Sequence, residues 1–521
     1  MLLSAATVFS SLAVIMPQPH VLAAEVSHLR AYESPVALVH GEAVQSLKLA
    51  QAPTTTQSVQ IAQAAHNQLH LVKEDIVTSG ATLRTYKWYP SPEQNQQYVD
   101  LRVLVIDLHE PYVELKVMSG RQGKLNSRQS VLGMARETEA VAGVNASFFH
   151  MNSSLGNPLG GQIENHEMTV SPLFLKGWYS FGITADREPV IGEYSFVGSV
   201  QAENGEEYPL SGINKPLMWD ENNVQSHTDS IFMYTSAWGE HARAEQSYFT
   251  PVEVLVIDGI VTEMSTDGPL TVPIPDDGYI LRGEGKGADF LLEHVNVGDE
   301  LQAHYELRDR HTGEHLEPDE FQMLIAGHTL LVENGQPSAF TANIANISGN
   351  YLAARTAAGY SADGRYVYLI TADKSGSSRG MTLAELQKAM IQLGVWKGLN
   401  LDGGGSTTMV ARPLGETVAH LANSPVEKTM RQVVNGIGVY TTAPKGAIAG
   451  LIMDSMPFLF VGEKAELNLR GYDEYYNPVS KVDVTEGFEF EVTEGYGRFE
   501  DGHFIPSKKG KALITVRSGA M

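Results

Sequence analysis

No cysteine occurs in the 521 residues. That excludes a disulfide framework, a thiolate metal site and a thiol nucleophile. Positive charge is the next shortage: 37 Lys and Arg stand against 61 Asp and Glu, for a formal net charge of −24. Such a chain has no broad electrostatic grip on nucleic acid or anionic lipid, and a phosphorylated ligand would need a pocket that supplies its own Arg or Lys. Long apolar runs are scarce as well. The one at the N-terminus, MLLSAATVFSSLAVIMPQPHVLAAE, is broken by Pro17, Pro19 and His20 before it reaches spanning length. It ends in small residues and predicts an export signal over 1–24, although no Lys or Arg precedes the apolar stretch. No second apolar span follows, so no transmembrane anchor is expected after cleavage. The expected location is extracytoplasmic, either secreted or associated with the cell envelope.

What is present is ordinary for a globular protein: 43% hydrophobic and 19% charged residues. The length calls for two or three domains. The 49 glycines and 24 prolines, together with many Val, Thr and Tyr, lean towards strands and turns. Residues 25–75 include the Gln-, Thr- and Ala-rich QSLKLAQAPTTTQSVQIAQAAHNQ and read as a linker or weakly ordered arm. Residues 76–442 form the expected main domain. YVDLRVLVIDL (Tyr98 to Leu108) and YVELKVMS (Tyr112 to Ser119) alternate and predict a strand pair. SRQSVLGMARETEA predicts a short helix leading into the strand VAGVNASFF. From about Gly177 to Gly335 short apolar runs are divided by turn signals, with little helical period. The strongest helix signal follows the strand RYVYLITAD: Thr382 and Glu385 make a capping box, Leu383, Leu386, Met390 and Leu393 share a face, and Gly394 suits the stop. VWKGLNL then reads as a strand ending at Asp402. The expected fold class is α/β (α+β): a mixed, strand-rich sheet domain with few helices. Residues 443–521 predict a small all-β, Ig-like sandwich, either a truncated module or the first of several, that could associate with the cell wall.

The segments NASFF (Asn145 to Phe149), AARTAAGYSADGR, SSRGMTLAELQKAMIQLG, LNLDGGGSTTM (Leu399 to Met409) and MRQVVNGIGV occur in that order. In that combination the chain resembles the phosphodiester glycosidase family, related to the catalytic domain of N-acetylglucosamine-1-phosphodiester alpha-N-acetylglucosaminidase. The resemblance spans roughly residues 98–441. It implies hydrolysis of a sugar joined through its anomeric oxygen to a phosphodiester, here in envelope glycan or exopolysaccharide metabolism. A sugar-phosphate or glycan substrate is therefore the expected partner.

The chemistry of that bond sets the requirements. A phosphodiester leaving group is a weak base, so protonating it matters less than in an ordinary glycosidase. The site needs a carboxylate near the anomeric carbon, cations or amides for the phosphate, and groups that orient the sugar. Asp402 is the first candidate carboxylate, as nucleophile, water-activating base or stabiliser of positive charge; a loop-shaping Asx turn is the alternative. Asp373 is the second, where the family often has Asp-Gly and this chain has Asp373-Lys374. Gly403, Gly404 and Gly405 would let amides approach an anion, with Ser406 and Thr407 adding hydroxyls. Arg355 and Arg431 are the first choices for holding phosphate, with Arg379 third. A structural ion pair is the competing role for Arg355 and Arg431, and a merely decorative place on the loop before Thr382 is the competing role for Arg379. Asn145 could bond a sugar hydroxyl, Phe148 could stack on the ring or sit in the core, and Asn435 could orient Asp402. Gly160 and Gly161 read as close-approach glycines on the same rim. No ligand spacing specifies a metal, which leaves a divalent cation (Ca or Mg) permitted but not required. Two other functions fit the same residues: cleavage of the P–O bond by a phosphodiesterase, and glycan binding without catalysis.

Overall fold

Alternating apolar residues turn most of the chain into strands, and the computed structural model describes residues 37–38, 68–90, 97–151, 156–173, 175–219, 223–240, 242–243, 247–343, 349–427, 429–453, 458–466, 469–479, 488–500 and 502–518. The expected export signal over 1–24 lies outside them. Among the described residues there are three α-helices, α1 (Val131–Glu137), α2 (Lys286–His294) and α3 (Leu383–Gln392). The fold is thus the expected strand-rich mixture with few helices.

A central eight-stranded sheet carries the frame. Its order is Leu69–Thr78, Ala81–Trp88, Val99–Asp107, Tyr366–Ala372, Arg355–Tyr360, Lys397–Leu401, Leu330–Glu333 and Gln336–Pro337. One face packs on α3, where Leu383, Leu386 and Met390 meet Leu101, Val103, Ala357 and Ile370. The helix is set by its capping box: Thr382 Oγ1 accepts the Glu385 N–H at 3.2 Å and the Glu385 carboxylate accepts the Thr382 N–H at 2.9 Å. The other face presents Leu104, Ile106, Leu369, Leu399 and Leu401 to a five-stranded sheet, which answers with Leu115, Val144, Met409 and Ile437. That sheet runs His420–Leu421, Met409–Ala411, Ala142–Asn145, Asn435–Thr441, Val113–Ser119. A second five-stranded sheet adds Phe181, Met323 and Ile325 to the same core.

This arrangement corrects the expected pairing of Tyr98–Leu108 with Tyr112–Ser119. Val99–Asp107 pairs with Tyr366–Ala372 and Ala81–Trp88, whereas Val113–Ser119 pairs with Asn435–Thr441. The two neighbours in sequence stack across the core instead of sharing an edge, because both bury apolar residues in the same cluster. The Leu69–Thr78 strand also begins inside the stretch expected to be a linker. It is held in a hairpin with Ala81–Trp88 through Ser79 and Gly80.

Residues 194–316 build another eight-stranded sheet covered by α2. Helix α2 falls where little helical period was expected. It is short, and burial of Ala288, Phe290 and Leu291 against that sheet holds it. Strands between Ile448 and Ser518 form a four-stranded sheet that includes Ala37–Leu38, plus a three-stranded and a two-stranded sheet. They touch the main layers through Arg412, whose guanidinium donates to Tyr476 O at 3.2 Å, and through an Arg470–Glu416 ion pair. Among the described residues no helix is long and apolar enough to cross a membrane.

Candidate functional site

The Lys397–Leu401 strand buries Leu399 and Leu401 in the core and releases the chain at Asp402. The following loop folds back at once. Asp402 N–H donates to Ala146 O at 2.8 Å, and Gly404 N–H donates to Ala354 O at 2.8 Å. Residues Gly404–Ser406 then make one turn of 3₁₀ helix. Gly404 takes φ +62° in open space, a conformation that favours glycine. Gly405 is constrained differently: a Cβ there would run into Arg431 Nη2 and the Glu427 carboxylate. Arg431, ion-paired with Glu427, therefore lies directly over the glycine loop.

Asp402 keeps part of its surface open, unlike its neighbours Ser406 and Thr407, which are fully buried. Burial of the carboxyl group pushes its pKa up to about 6, while Ser406, the Arg431 guanidinium and the Gly403 amide pull it down in part. Ser406 Oγ lies near enough to act on the carboxylate yet has no well-formed hydrogen bond. A carboxyl group that titrates near neutrality, faces a guanidinium and sits on a glycine loop can serve as nucleophile or base.

Most of the other predicted site residues hold the frame. Asn145, 1% exposed, donates to Asp402 O at 2.7 Å and accepts from Thr356 Oγ1 at 2.9 Å and Thr408 N–H at 3.0 Å. Its amide is thereby committed to positioning the Asp402 loop. Asn435 donates to Ser147 Oγ and Gln162 Oε1 and accepts the Ser147 N–H at 2.9 Å, so it orients the Asn145–Phe149 segment and not Asp402. Asp373, 1% exposed, accepts from Asn423 Nδ2 at 2.9 Å and Ser424 N–H at 3.1 Å. Burial raises its pKa, and its oxygens tie down the loop that Asn423 joins to Met409 N–H at 2.8 Å.

The cations divide similarly. Arg355 is 3% exposed and donates to Met381 O at 2.9 Å and Tyr351 O at 2.7 Å; desolvation lowers its pKa to about 10. Arg379 pairs with the capping residue Glu385 at 2.5 Å. Of the three, Arg431 is the one placed against the Asp402 loop. The anion nest is reduced too, since Gly404, Ser406 and Thr407 amides already bond carbonyls, and Thr407 Oγ1 accepts from Thr356 at 3.3 Å. Gly160 and Gly161 abut Ala326 and Pro172, so their close approach is to the protein itself.

Phe148 is half-buried in an aromatic group with Trp178 (6.0 Å between centroids) and His328 (5.5 Å). Neither Trp178 nor His328 was singled out from the sequence. The signal available for His328 was its place in AGHTLLVENGQ, just before the strand paired with Lys397–Leu401. Thr356 and Asn423 were missed as well, since nothing in their local patterns shows long-range partners. Among the described residues no group of three or more His, Asp or Glu could hold a metal ion.

Comparison with known proteins follows the same ground. Residues 251–440 match the model of the phosphodiester glycosidase family. The match takes in Arg355, Asp402 and Arg431 and leaves out Asn145–Phe149, which the fold brings to the same loop. No curated protein matches the chain. Among solved structures, a hypothetical protein from Synechocystis aligns with a TM-score of 0.54 at 21% identity, covering 70% of this chain and 62% of that one. The alignment thus takes in less than two-thirds of the Synechocystis chain. A protein from Burkholderia pseudomallei aligns with a TM-score of 0.54 at 20% identity, over 66% of this chain and 74% of that one. Likeness at these identities is one of fold. The catalytic domain of zebrafish N-acetylglucosamine-1-phosphodiester alpha-N-acetylglucosaminidase, auto-inhibited by its pro-peptide, aligns with a TM-score of 0.36 at 14% identity, over 72% of this chain and 87% of that one. Across residues 251–440, the part that contains Asp402 and Arg431, the chain carries a phosphodiester glycosidase family domain.

Proposed function

We propose that the protein hydrolyses a sugar-1-phosphodiester, with Asp402 acting at the anomeric carbon and Arg431 holding the phosphate. The observation that carries this reading is the packing of Arg431 over Gly405 beside a carboxyl group whose pKa is raised to about 6. The ionised Asp402 attacks the anomeric carbon or takes a proton from an attacking water. The phosphate departs as a stabilised anion against the guanidinium. Asn145, Asn435 and Asp373 keep the loops in register. Export to the envelope and action on glycan or exopolysaccharide are part of the proposal, supported by the N-terminal apolar stretch and by the family.

The test is turnover of UDP-sugars and sugar-1-phosphate methyl diesters in heavy-oxygen water. Label in the sugar supports glycosidic C–O cleavage. Label in the phosphate would make the enzyme a P–O phosphodiesterase, and full activity in Asp402→Ala would remove Asp402 from the chemistry.

A further inference from the structure

We propose that Phe148, Trp178 and His328 form the sugar-ring subsite beside Asp402, the two aromatic rings taking the C–H face of a pyranose and the imidazole one of its hydroxyls. The proposal rests on the glycosidase reading and specifies which surface recognises the sugar.

Position is the first argument. Phe148 lies two residues beyond Ala146, whose carbonyl accepts the Asp402 N–H. His328 N–H donates to Asn400 O at 2.9 Å, two residues before Asp402. Phe148 and His328 are therefore each tied by a backbone hydrogen bond to the Asp402 segment, through a tether of at most about 7 Å of extended chain.

Exposure is the second. Phe148 and Trp178 are half-buried and belong to none of the hydrophobic clusters, whereas Phe149 and Trp238 pack inside them. Rings that leave the core and keep a wet face are suited to stacking on a ligand.

The third is an unmet polar atom. His328 is 2% exposed, and its Nδ1 has no hydrogen-bond partner. Its ring is 4.4 Å from that of Trp178. Burial holds its pKa near 4, so the imidazole is neutral and suits a hydroxyl better than a phosphate.

Finally, the mount is rigid. Gly177, immediately before Trp178, donates to Glu193 at 2.9 Å and accepts from Thr341 Oγ1 at 2.9 Å, and Tyr179 N–H donates to His328 O at 2.9 Å. Trp178 is fixed from both neighbours before any ligand arrives.

The experiment titrates the full chain with glucose, galactose, mannose and N-acetylglucosamine, using saturation-transfer NMR and tryptophan fluorescence. At least one pyranose should receive saturation at its C–H protons and change the fluorescence. Trp178→Ala should abolish the fluorescence change and weaken binding by about three- to tenfold, and His328→Gln should weaken the preferred sugar most. Trp178→Phe, which keeps a ring, should retain binding and guards against misfolding. Asp402→Asn should lose turnover and keep sugar binding. If no sugar receives saturation from the wild-type chain, or if Trp178→Ala and His328→Gln both bind normally, the subsite is refuted. Sugar binding together with no turnover of any sugar-1-phosphodiester by the wild-type chain would leave the subsite standing and remove the glycosidase reading.

Discussion

Arg431 lies across Gly405 so closely that a single methyl group on the glycine would displace the guanidinium. The Gly405 position thus reports on the placement of Arg431. Gly405→Ala should lower kcat/KM on a sugar-1-phosphodiester about tenfold or more, since the guanidinium proposed to hold the phosphate is displaced. The fold should be little affected, because the obstructing atoms are the ends of flexible side chains. Gly404→Ala makes the contrast: open space but φ +62°, so it should destabilise by about 1 kcal/mol. Thermal melting and steady-state kinetics on both variants separate the two effects.

The raised pKa of Asp402 sets a pH dependence. The proposed mechanism uses the carboxylate form, so the rate should rise with pH through about 6 and level off above it. Asp402→Asn should remove that limb together with the activity. A profile that falls through pH 6 would show that Asp402 acts as the protonated acid.

The same shift bears on stability. The folded carboxyl keeps its proton up to about pH 6, while the unfolded one loses it near 3.8. Between those values the unfolded state binds fewer protons, so this group's contribution to stability falls as pH rises across the window. Asp402→Asn should therefore be more stable than the wild type at pH 7, by roughly 3 kcal/mol, and the gain should vanish below pH 4. Denaturant unfolding at the two pH values measures it.

Asp373 and Asn145 are expected to behave as frame residues. Asp373→Asn turns one acceptor oxygen into a donor facing Asn423 or Ser424. It should cost about 1–3 kcal/mol of stability and change kcat/KM by less than about fivefold once the protein is folded. A loss of a thousandfold in a well-folded Asp373→Asn would give Asp373 a chemical role.

Asn145→Ala orphans the Thr408 amide and frees the Asp402 carbonyl. It should cost about 2–4 kcal/mol and lower activity through a loosened loop. Hydrogen exchange at Asp402 and Thr408 should speed up together; unchanged protection at both would refute the positioning role.

The local devices were legible in the residues themselves. The Thr382–Glu385 box, the stop at Gly394 (φ +88°) and the strand that releases Asp402 follow from spacing and from backbone preferences. The order of the motifs pointed to the family. What could not be read was which polar residues would be used up inside the protein. Asn145 bonds Asp402 across 257 residues of sequence, and Asn435 bonds Gln162 across 273. No periodicity records such partners, because they form only after three sheets close on one core. Strand pairing failed for the same reason: Val99–Asp107 and Val113–Ser119 alternate alike, and alternation does not say whether two strands share an edge or face each other across a core.

The sequence by itself determined a strand-rich chain with one well-capped helix and a carboxylate on a glycine loop beyond a strand. Tertiary structure alone decided that Arg355, Asp373, Asn145 and Asn435 satisfy buried backbone and polar groups. It also decided that Arg431 comes to lie against the Asp402 loop and that His328 and Trp178 join Phe148 in one aromatic group. The physical reason is that a buried polar group must find its hydrogen bond wherever the packed layers offer one, and only the groups left over after that can meet a ligand.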